Sequence, residues 1–242
     1  MHFHVITLFP GAFDSYLSES ILKRAIEDKK LKVSFYNPRD FADNEYARID
    51  RPPYGGGPGM VVQALPVIKA IESALKKIKN KESRIKKNSK LKPNASRHDA
   101  IIENLKLRTK IIFLSPGGIQ FTNEYAKKTS KSFSEIIIVS GRYEGIDARV
   151  KKAFKMEDVS IGPFVLTGGE LPAMMMIDSI ARQRKGILGN FDSVEERRVT
   201  SHDSYTRPET IEYKGKKFSV PKILLSGDPK KIEEWRLGKN GE

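Results

Sequence analysis

The chain has 242 residues, no cysteine and a formal net charge of +14. This length suits one medium domain plus a smaller one, and the 38% hydrophobic content is too high for a disordered chain. No apolar run approaches the roughly 20 residues that span a bilayer, and the N-terminus does not resemble a signal peptide. We therefore expect no membrane association and, by default, a cytoplasmic location. The lack of cysteine excludes disulfides, thiolate metal sites and a cysteine nucleophile.

The first part of the chain predicts a β–α–β start, a long loop and a second helix. Alternating or continuous apolar residues predict strands, and apolar residues three and four apart predict helices. The predicted elements are a strand at residues 1–9, a helix at 17–26, a strand at 31–36 and a helix at 65–75. The irregular segment from Asn37 to Met60 contains a glycine run, and loops of this length inside a compact domain are usually functional.

A Lys-rich segment follows this helix. From Lys76 to Lys110 there are thirteen Lys/Arg and three Asp/Glu, so most of the net charge lies here. Its Asn, Ser and Pro content argues against a core element, and we interpret residues 77–108 as a basic insertion. Two compatible interpretations stay open: a solvated charge run or an electrostatic arm for nucleic acid. The net charge of the chain favours a polyanionic partner.

Three short apolar strands in the second part of the chain each end at a Gly-rich turn. They are predicted at residues 110–114, 135–140 and 159–161, with helices at 122–131, capped by Thr122, and at 173–184. Strands that are apolar on both faces and separated by helices indicate a covered parallel sheet. Ligands of such sheets bind beyond the carboxyl ends of the strands. The predicted pocket is therefore formed by the turns at 115–118, 141–145 and 162–169.

The turns by themselves name no ligand. Neither G-x-x-x-x-G-K-[ST] nor a strand-linked G-x-G-x-x-G is present, which argues against a nucleotide triphosphatase. The glycines fit tight structural turns as well as a binding site. His2 and His4 share one face of the first strand and are interpreted as structural. With His98 and His202 they form no ligand cluster in the sequence, so no metal site is predicted.

The identity of the turn residues is more specific than their composition. Phe113–Gly117, Gly141–Asp147 and Ser160–Ala173 resemble the three cofactor loops of the bacterial tRNA (guanine-N1)-methyltransferases, a family of the SPOUT superfamily. Two further segments are similar to that family. They are the glycine loop Pro53–Met60 and the stretch Tyr205–Glu209, which opens the family's C-terminal domain. The motifs follow the family's order over nearly the whole chain.

The resemblance implies an α/β fold with a parallel sheet, a deep C-terminal trefoil knot and a small, mostly helical C-terminal domain. The knotted domain would span residues 1–189, a linker 190–204 and a shortened tRNA-binding domain 205–242. It also implies a homodimer with the active site at the subunit interface, S-adenosylmethionine as methyl donor and tRNA as substrate. The methylated atom would be N1 of the guanosine immediately 3′ of the anticodon, which preserves the reading frame. A Mg²⁺ requirement stays open, without a recognisable protein site.

The same resemblance implies the cofactor contacts. Backbone groups of the turns would bind adenine and ribose, aliphatic side chains would sandwich the ring, and the Glu144 carboxylate would oppose the sulfonium charge. The implied contacts are Leu114, Ser115, Pro116, Gly117, Gly141, Tyr143, Glu144, Gly145, Ile146, Ile161, Gly162, Val165, Leu166, Gly168, Gly169 and Pro172.

Two catalytic roles are implied. Arg182 would stabilise the negative charge that develops on guanine O6, and a carboxylate of the linker would remove the N1 proton. Asp192 reproduces the family's Asp-Ser pair, whereas alignment from the preceding glycine makes Glu196 the base. Both stay open, and Asp203 is a third carboxylate in this region.

Contacts with tRNA are implied beside the glycine loop at Arg48, Asp50, Arg51 and Tyr54, and in the C-terminal domain at Arg207 and the Lys214–Lys217 cluster. The chain departs from the family at Pro163-Phe164, where Asp-Tyr is common, so the ring is kept and the hydroxyl is lost. Two other interpretations remain: a knotted methyltransferase with another RNA target, and a noncatalytic RNA-binding module. The Tyr205–Glu209 motif favours the tRNA enzyme.

Overall fold

The computed structural model describes residues 1–89, 109–188 and 203–236. The chain divides into two compact units, Met1–Ile187 and Leu188–Glu242. Within the described ranges, no helix combines the length and apolar character needed to cross a membrane.

The strands are β1 (His2–Ile6), β2 (Lys32–Tyr36), β3 (Asp50–Arg51), β4 (Val61–Val62), β5 (Thr109–Gln120), β6 (Glu135–Val139), β7 (Glu157–Ser160), β8 (Thr210–Tyr213) and β9 (Lys216–Ser219). The helices are α1 (Asp14–Leu17), α2 (Ser20–Glu27), α3 (Ala64–Ser89), α4 (Asn123–Ser132), α5 (Arg149–Ala153), α6 (Glu170–Arg182), α7 (Lys222–Leu225) and α8 (Pro229–Arg236). Two 3-10 turns lie at Pro10–Phe13 and Pro38–Phe41.

The predicted parallel sheet is confirmed. Five strands pair in the order β2-β1-β6-β5-β7, and every pairing is parallel. All five side chains of β1 and of β6 are buried, because helices cover both faces of the sheet. One apolar cluster contains α2 and α6 residues, and the other contains α3 residues. The carboxyl ends of these strands therefore open onto one edge, where the three Gly-rich turns meet.

The Lys-rich segment was expected to contain no core element, and this was wrong for its first part. Helix α3 does not stop near Leu75 but continues to Ser89. Ile78 is buried within the second apolar cluster. Lys81 then reaches Glu135 at the start of β6, with 2.6 Å between Nζ and Oε1. These two contacts extend the helix into sequence whose composition indicated a loop.

Other element bounds differ less. Strand β1 ends at Ile6 rather than Phe9. The predicted N-cap of α4 is confirmed, since the Thr122 hydroxyl accepts a hydrogen bond from the Tyr125 amide at 3.1 Å. Helix α6 begins at Glu170, three residues before the predicted start, and Glu170 is buried. The early start places a carboxylate at the helix N-terminus, where the helix dipole favours it.

The described part of the second unit contains a β-hairpin and two short helices. Strands β8 and β9 pair antiparallel, and all of their side chains are exposed. Ile211 lies opposite Phe218, although both are more than half exposed. A two-stranded hairpin without a covered face is only marginally stable in water. The exposed side chains of this hairpin are available for contact with a partner.

Candidate functional site

A cavity of about 270 Å³ lies at the carboxyl edge of the sheet. It forms where the loops after β5, β6 and β7 converge, as the sequence predicted for a covered parallel sheet. Its lining combines backbone of the Gly-rich turns with apolar side chains. The lining residues are Leu114, Ser115, Pro116, Gly141, Arg142, Tyr143, Glu144, Gly145, Val159, Ser160, Ile161, Phe164, Val165, Leu166, Thr167, Gly168, Gly169 and Pro172.

The cavity brings together most of the residues that the family resemblance implied for the cofactor. Only Gly117, Ile146 and Gly162 of that set do not line it. Phe164, at the position where the family commonly has tyrosine, does line the cavity and is half exposed. The sequence interpretation missed Arg142, Val159, Ser160 and Thr167, although all four lie within or next to the motifs.

The third loop is tied to the end of β6 by short contacts. The Gly169 amide donates to the Gly141 carbonyl at 2.9 Å, and the Ser140 hydroxyl donates to the Gly169 carbonyl at 3.2 Å. A Cβ atom on Gly169 would lie 2.7 Å from the Ser140 Cα atom. Only glycine allows this approach of two backbones, and the approach closes one wall of the cavity.

Replacing Gly169 with alanine should therefore lower the free energy of unfolding by about 1–3 kcal/mol, the usual cost of overpacking. Urea denaturation measures the change. Gly117→Ala is the matched control, because a Cβ atom there meets nothing within 4 Å. Equal stabilities for both variants would contradict the assigned role of the close approach.

A buried carboxylate connects the second and third loops to β1. The Thr7 hydroxyl donates to Glu170 Oε1 at 2.8 Å. Arg142 Nε lies 2.8 Å from Glu170 Oε2 as an ion pair without a well-directed hydrogen bond. The Arg142 guanidinium also stacks on the Phe9 ring, 4.6 Å from its centroid. The Arg142 side chain is thereby fixed at the cavity wall, and its place within the Gly141–Asp147 motif was the sequence signal for it.

The N-terminal glycine loop lies beside the same cavity. The Glu144 amide donates to the Met60 carbonyl, and the Val62 amide donates to the Gly145 carbonyl, both at 3.0 Å. A Cβ atom on Gly59 would lie 2.7 Å from Glu144 Oε1, so only glycine lets the loop approach this carboxylate. The loop therefore borders Glu144.

The side chains implied for tRNA contact flank this loop. Arg48 and Arg51 are exposed, and Tyr54 is fully exposed. Asp50 and Arg51 form β3, which pairs with β4 and so connects to the loop that carries Glu144. These polar and aromatic groups therefore lie beside the loop that borders Glu144.

Arg182 is not brought to the cavity within one chain. It is the last residue of α6, whereas Pro172 at the other end of α6 lines the cavity. Pro172 and Arg182 are ten residues apart, or about 15 Å along the helix at 1.5 Å per residue. The two implied base candidates, Asp192 and Glu196, lie outside the described residues.

The second unit has a cavity of its own, of about 920 Å³. Aromatic, apolar and basic side chains line it, among them Tyr205, Arg207, Trp235 and Arg236, together with Asp203. The Tyr205 and Trp235 rings are 6.3 Å apart between centroids. Mixed aromatic and basic surfaces of this kind suit nucleobases and phosphates.

A buried polar cluster lies at the amino edge of the sheet, opposite the cavity. Glu135 Oε2 is 2.8 Å from His4 Nε2 and 3.2 Å from His2 Nδ1. The outer ring nitrogens of the histidines bond the hydroxyls of Ser34 at 2.9 Å and Tyr36 at 2.8 Å. The sequence could not reveal this group, because Glu135 is more than 130 residues from the histidines.

The cluster has the ligand types of a metal site, with donor atoms within 4.8 Å of one another. However, the Lys81 ammonium already binds the other carboxylate oxygen at 2.6 Å. Burial opposes ionisation of Glu135, but hydrogen bonds from His2, His4 and Lys81 outweigh it and hold the Glu135 pKa well below its usual range. Burial lowers the pKa of His2. The hydrogen bonding is complete without a metal, and we assign the cluster a structural role.

Comparison with known proteins identifies the same family that the motifs lining the cavity indicated. The model of the family described as tRNA (guanine-1)-methyltransferase TrmD matches residues 1–242. A tRNA (guanine-N(1)-)-methyltransferase of Pseudoalteromonas atlantica is 39% identical over 238 residues, covering 97% of this chain and 78% of the relative. The corresponding proteins of Clostridioides difficile and Campylobacter jejuni subsp. doylei are each 38% identical, covering 98% and 96% of this chain and 90% and 88% of the relatives. The chain therefore belongs to the tRNA (guanine-1)-methyltransferase family.

Proposed function

We propose that the protein transfers a methyl group from S-adenosylmethionine to N1 of the guanosine immediately 3′ of the anticodon in tRNA. The observation that carries this proposal is the cavity at the carboxyl edge of the sheet, lined by the three loops that bear the family motifs. The substrate places the activity in the cytoplasm. The basic charge of the chain fits a polyanionic substrate.

The residues that line the cavity match the chemical groups of S-adenosylmethionine. Leu114, Ile161 and Leu166 offer apolar side chains for the two faces of adenine, and the loop backbones offer donors and acceptors for adenine and ribose. The Glu144 carboxylate would oppose the sulfonium charge. S-adenosylmethionine supplies the activated methyl group, and the protein supplies position and electrostatics. We assign no protein ligands to Mg²⁺.

Guanine N1 carries a proton and is a poor nucleophile until that proton leaves. A linker carboxylate, Asp192 or Glu196, would accept the proton as the bond from N1 to the methyl carbon forms and the carbon–sulfur bond breaks, its electron pair staying on sulfur. The negative charge that develops on O6 would be stabilised by the Arg182 guanidinium.

Single-turnover methyl transfer from labelled S-adenosylmethionine to a tRNA transcript tests the activity and the base together. Wild-type protein should transfer label. One of Asp192→Asn and Glu196→Gln should lower the rate constant by about 10²–10⁴-fold, while both keep their affinity for S-adenosylmethionine. Near-normal rates in both variants would eliminate the assigned bases. No transfer by the wild type to tRNA that it binds would overturn the function in favour of a noncatalytic RNA-binding module.

The fold proposed for the catalytic unit includes a trefoil knot within residues 1–189. Strand β5 pairs with β7 twice, at Leu114–Val159 and again at Ile119–Val159, with a register shift at the intervening turn. The segment after β7 then returns to β6, where Gly169 meets Gly141. The turn between these two pairings and the return of the chain to β6 are features that such a knot requires.

The proposed assembly is a homodimer with shared active sites. The support comes from Arg182, which is separated from cavity-lining Pro172 of its own chain by about 15 Å of helix. If Arg182 is catalytic, a second copy must bring it to the cavity. Helix α6 also exposes Leu171 and Met175, which provide apolar contact area for such a copy.

Residues of each unit are proposed to contact tRNA. Arg48, Asp50, Arg51 and Tyr54 border the glycine loop next to Glu144. The second unit is proposed to span residues 205–242 after a linker at 190–204. Its hairpin carries Lys214 in the turn and Lys216 and Lys217 at the start of β9, and Arg207 lines the aromatic cavity. Cations would position the phosphates, and rings would stack on unpaired bases.

A further inference from the structure

The second half of α3 carries exposed cations on the face opposite the core. Lys76, Lys79 and Arg84 are exposed, and none of them lies three or four residues from buried Ile78, so none stacks with it on the same side of the helix. No carboxylate of the described ranges lies within ion-pair distance of these three side chains. Lys77 and Lys81, which lie nearer the core, are already engaged with the Tyr36 ring and Glu135.

This basic face of α3, defined as Lys76, Lys79 and Arg84, is costly for the free protein. Like charges one or two turns apart repel each other and weaken a helix. The nearest acidic residues along α3 are Glu72 and Glu82, and neither forms an ion pair with any of the three cations. Contacts of Ile78 and Lys81 with the body of the unit hold the helix together despite this repulsion.

The position of the basic face separates it from the catalytic cavity. Lys81 contacts Glu135, the first residue of β6, so this part of α3 lies at the amino edge of the sheet. The cavity lies beyond Val139 at the carboxyl edge. The five residues of β6 alone span roughly 17 Å. A nucleotide held in the cavity cannot reach these cations, but a longer polyanion can.

We propose that the basic face of α3 binds RNA phosphates of the tRNA outside the anticodon stem-loop; the inference rests on the proposed tRNA substrate. The three cations cover about 12 Å along the helix, so they can contact several phosphates of a nucleic-acid backbone, which carries a charge every few ångströms. An anionic membrane fits less well. Membrane-surface helices insert an apolar face, whereas the apolar face of α3 is buried in the core.

The test compares two triple variants in tRNA binding at increasing salt. Lys76→Gln/Lys79→Gln/Arg84→Gln removes the basic face. Lys23→Gln/Lys127→Gln/Lys131→Gln removes equal charge from exposed positions of α2 and α4. Glutamine is tolerated in helices almost as well as lysine or arginine. Binding is measured between about 50 and 200 mM KCl for full-length tRNA and for the isolated anticodon stem-loop.

The slope of log affinity against log salt for full-length tRNA should become shallower by about 2–3 in the first variant, because each lost phosphate contact contributes about 0.7–0.9. It should not change in the control, nor should stem-loop binding change in either variant. Equal slopes in all proteins, an equal loss in the control, or an equal loss for the stem-loop would overturn the inference, as would a first variant that loses only binding to anionic vesicles. Methyl transfer by the wild type, measured separately, tests the proposed function itself. A protein that binds tRNA with the expected slope change but transfers no methyl group would refute only that function.

Discussion

Replacing Arg182 with alanine should lower kcat by about 10²–10³-fold, because one positioned donor to a developing oxyanion contributes that much. The affinity for S-adenosylmethionine should not change, because Arg182 does not line the cavity of its own chain and its proposed partner in the shared site is guanine O6, not the cofactor. Lys185→Ala, at an exposed position three residues later, is the matched control and should keep its kcat. A loss of cofactor affinity equal to the loss of kcat would instead indicate a structural role.

The location of Arg182 allows a sharper version of this experiment. Arg182→Ala removes the arginine but keeps the cavity, and Leu166→Asp places a charge against the apolar cavity wall but keeps the arginine. Each variant alone should be inactive. Heterodimers that contain one subunit of each type should regain methyl transfer, since the intact cavity of one subunit receives Arg182 from the other.

The opposite result, no methyl transfer by the heterodimers, would contradict a shared active site. If the mixed protein stays inactive although heterodimers form, the arginine acts within its own chain or not at all. A conformational change over about 15 Å of helix would then be needed to bring it to its own cavity, and the proposed shared site would be wrong.

Glu135→Gln should lower the free energy of unfolding by about 3 kcal/mol, the lower end of the cost of breaking a buried ion pair. Glutamine has nearly the same shape but no charge, so His2, His4 and Lys81 lose the anion that they share. The cost stays at the lower end because the half-exposed Lys81 side chain can turn to solvent. Glu72→Gln, at an exposed position of α3, is the control for urea denaturation. Equal stability of the two variants would contradict the role of the cluster.

The same cluster predicts how stability depends on pH. The folded-state pKa values of Glu135 and His2 are both lowered, so the unfolded chain binds these protons first on acidification. Stability should fall as the pH drops below the unfolded histidine value of about 6.5, and more steeply below the unfolded glutamate value of about 4.3. Urea midpoints across this range measure the effect. In Glu135→Gln the steeper acid loss should be reduced, and an unchanged profile would show that other groups cause it.

The sequence was sufficient to predict the parallel sheet and the edge of the sheet at which the cavity lies. Apolar strands that end at glycines determine both, because the carboxyl ends of parallel strands meet at one edge. The sequence could not predict contacts between residues that lie far apart along the chain. Thr7 and Glu170 are 163 positions apart, and His4 and Glu135 are 131 apart. The length of α3 was missed for a related reason, since Ile78 and Lys81 stabilise by tertiary contacts a segment whose composition indicated a loop.

Methylation of one guanosine at this cavity can be tested directly with two tRNA transcripts. They differ only in the base immediately 3′ of the anticodon, which is G in one and A in the other, and both are incubated with protein and labelled S-adenosylmethionine. We expect label only in the G transcript, recovered after nuclease digestion as 1-methylguanosine. Label in both transcripts, or in another nucleoside, would contradict the assigned target.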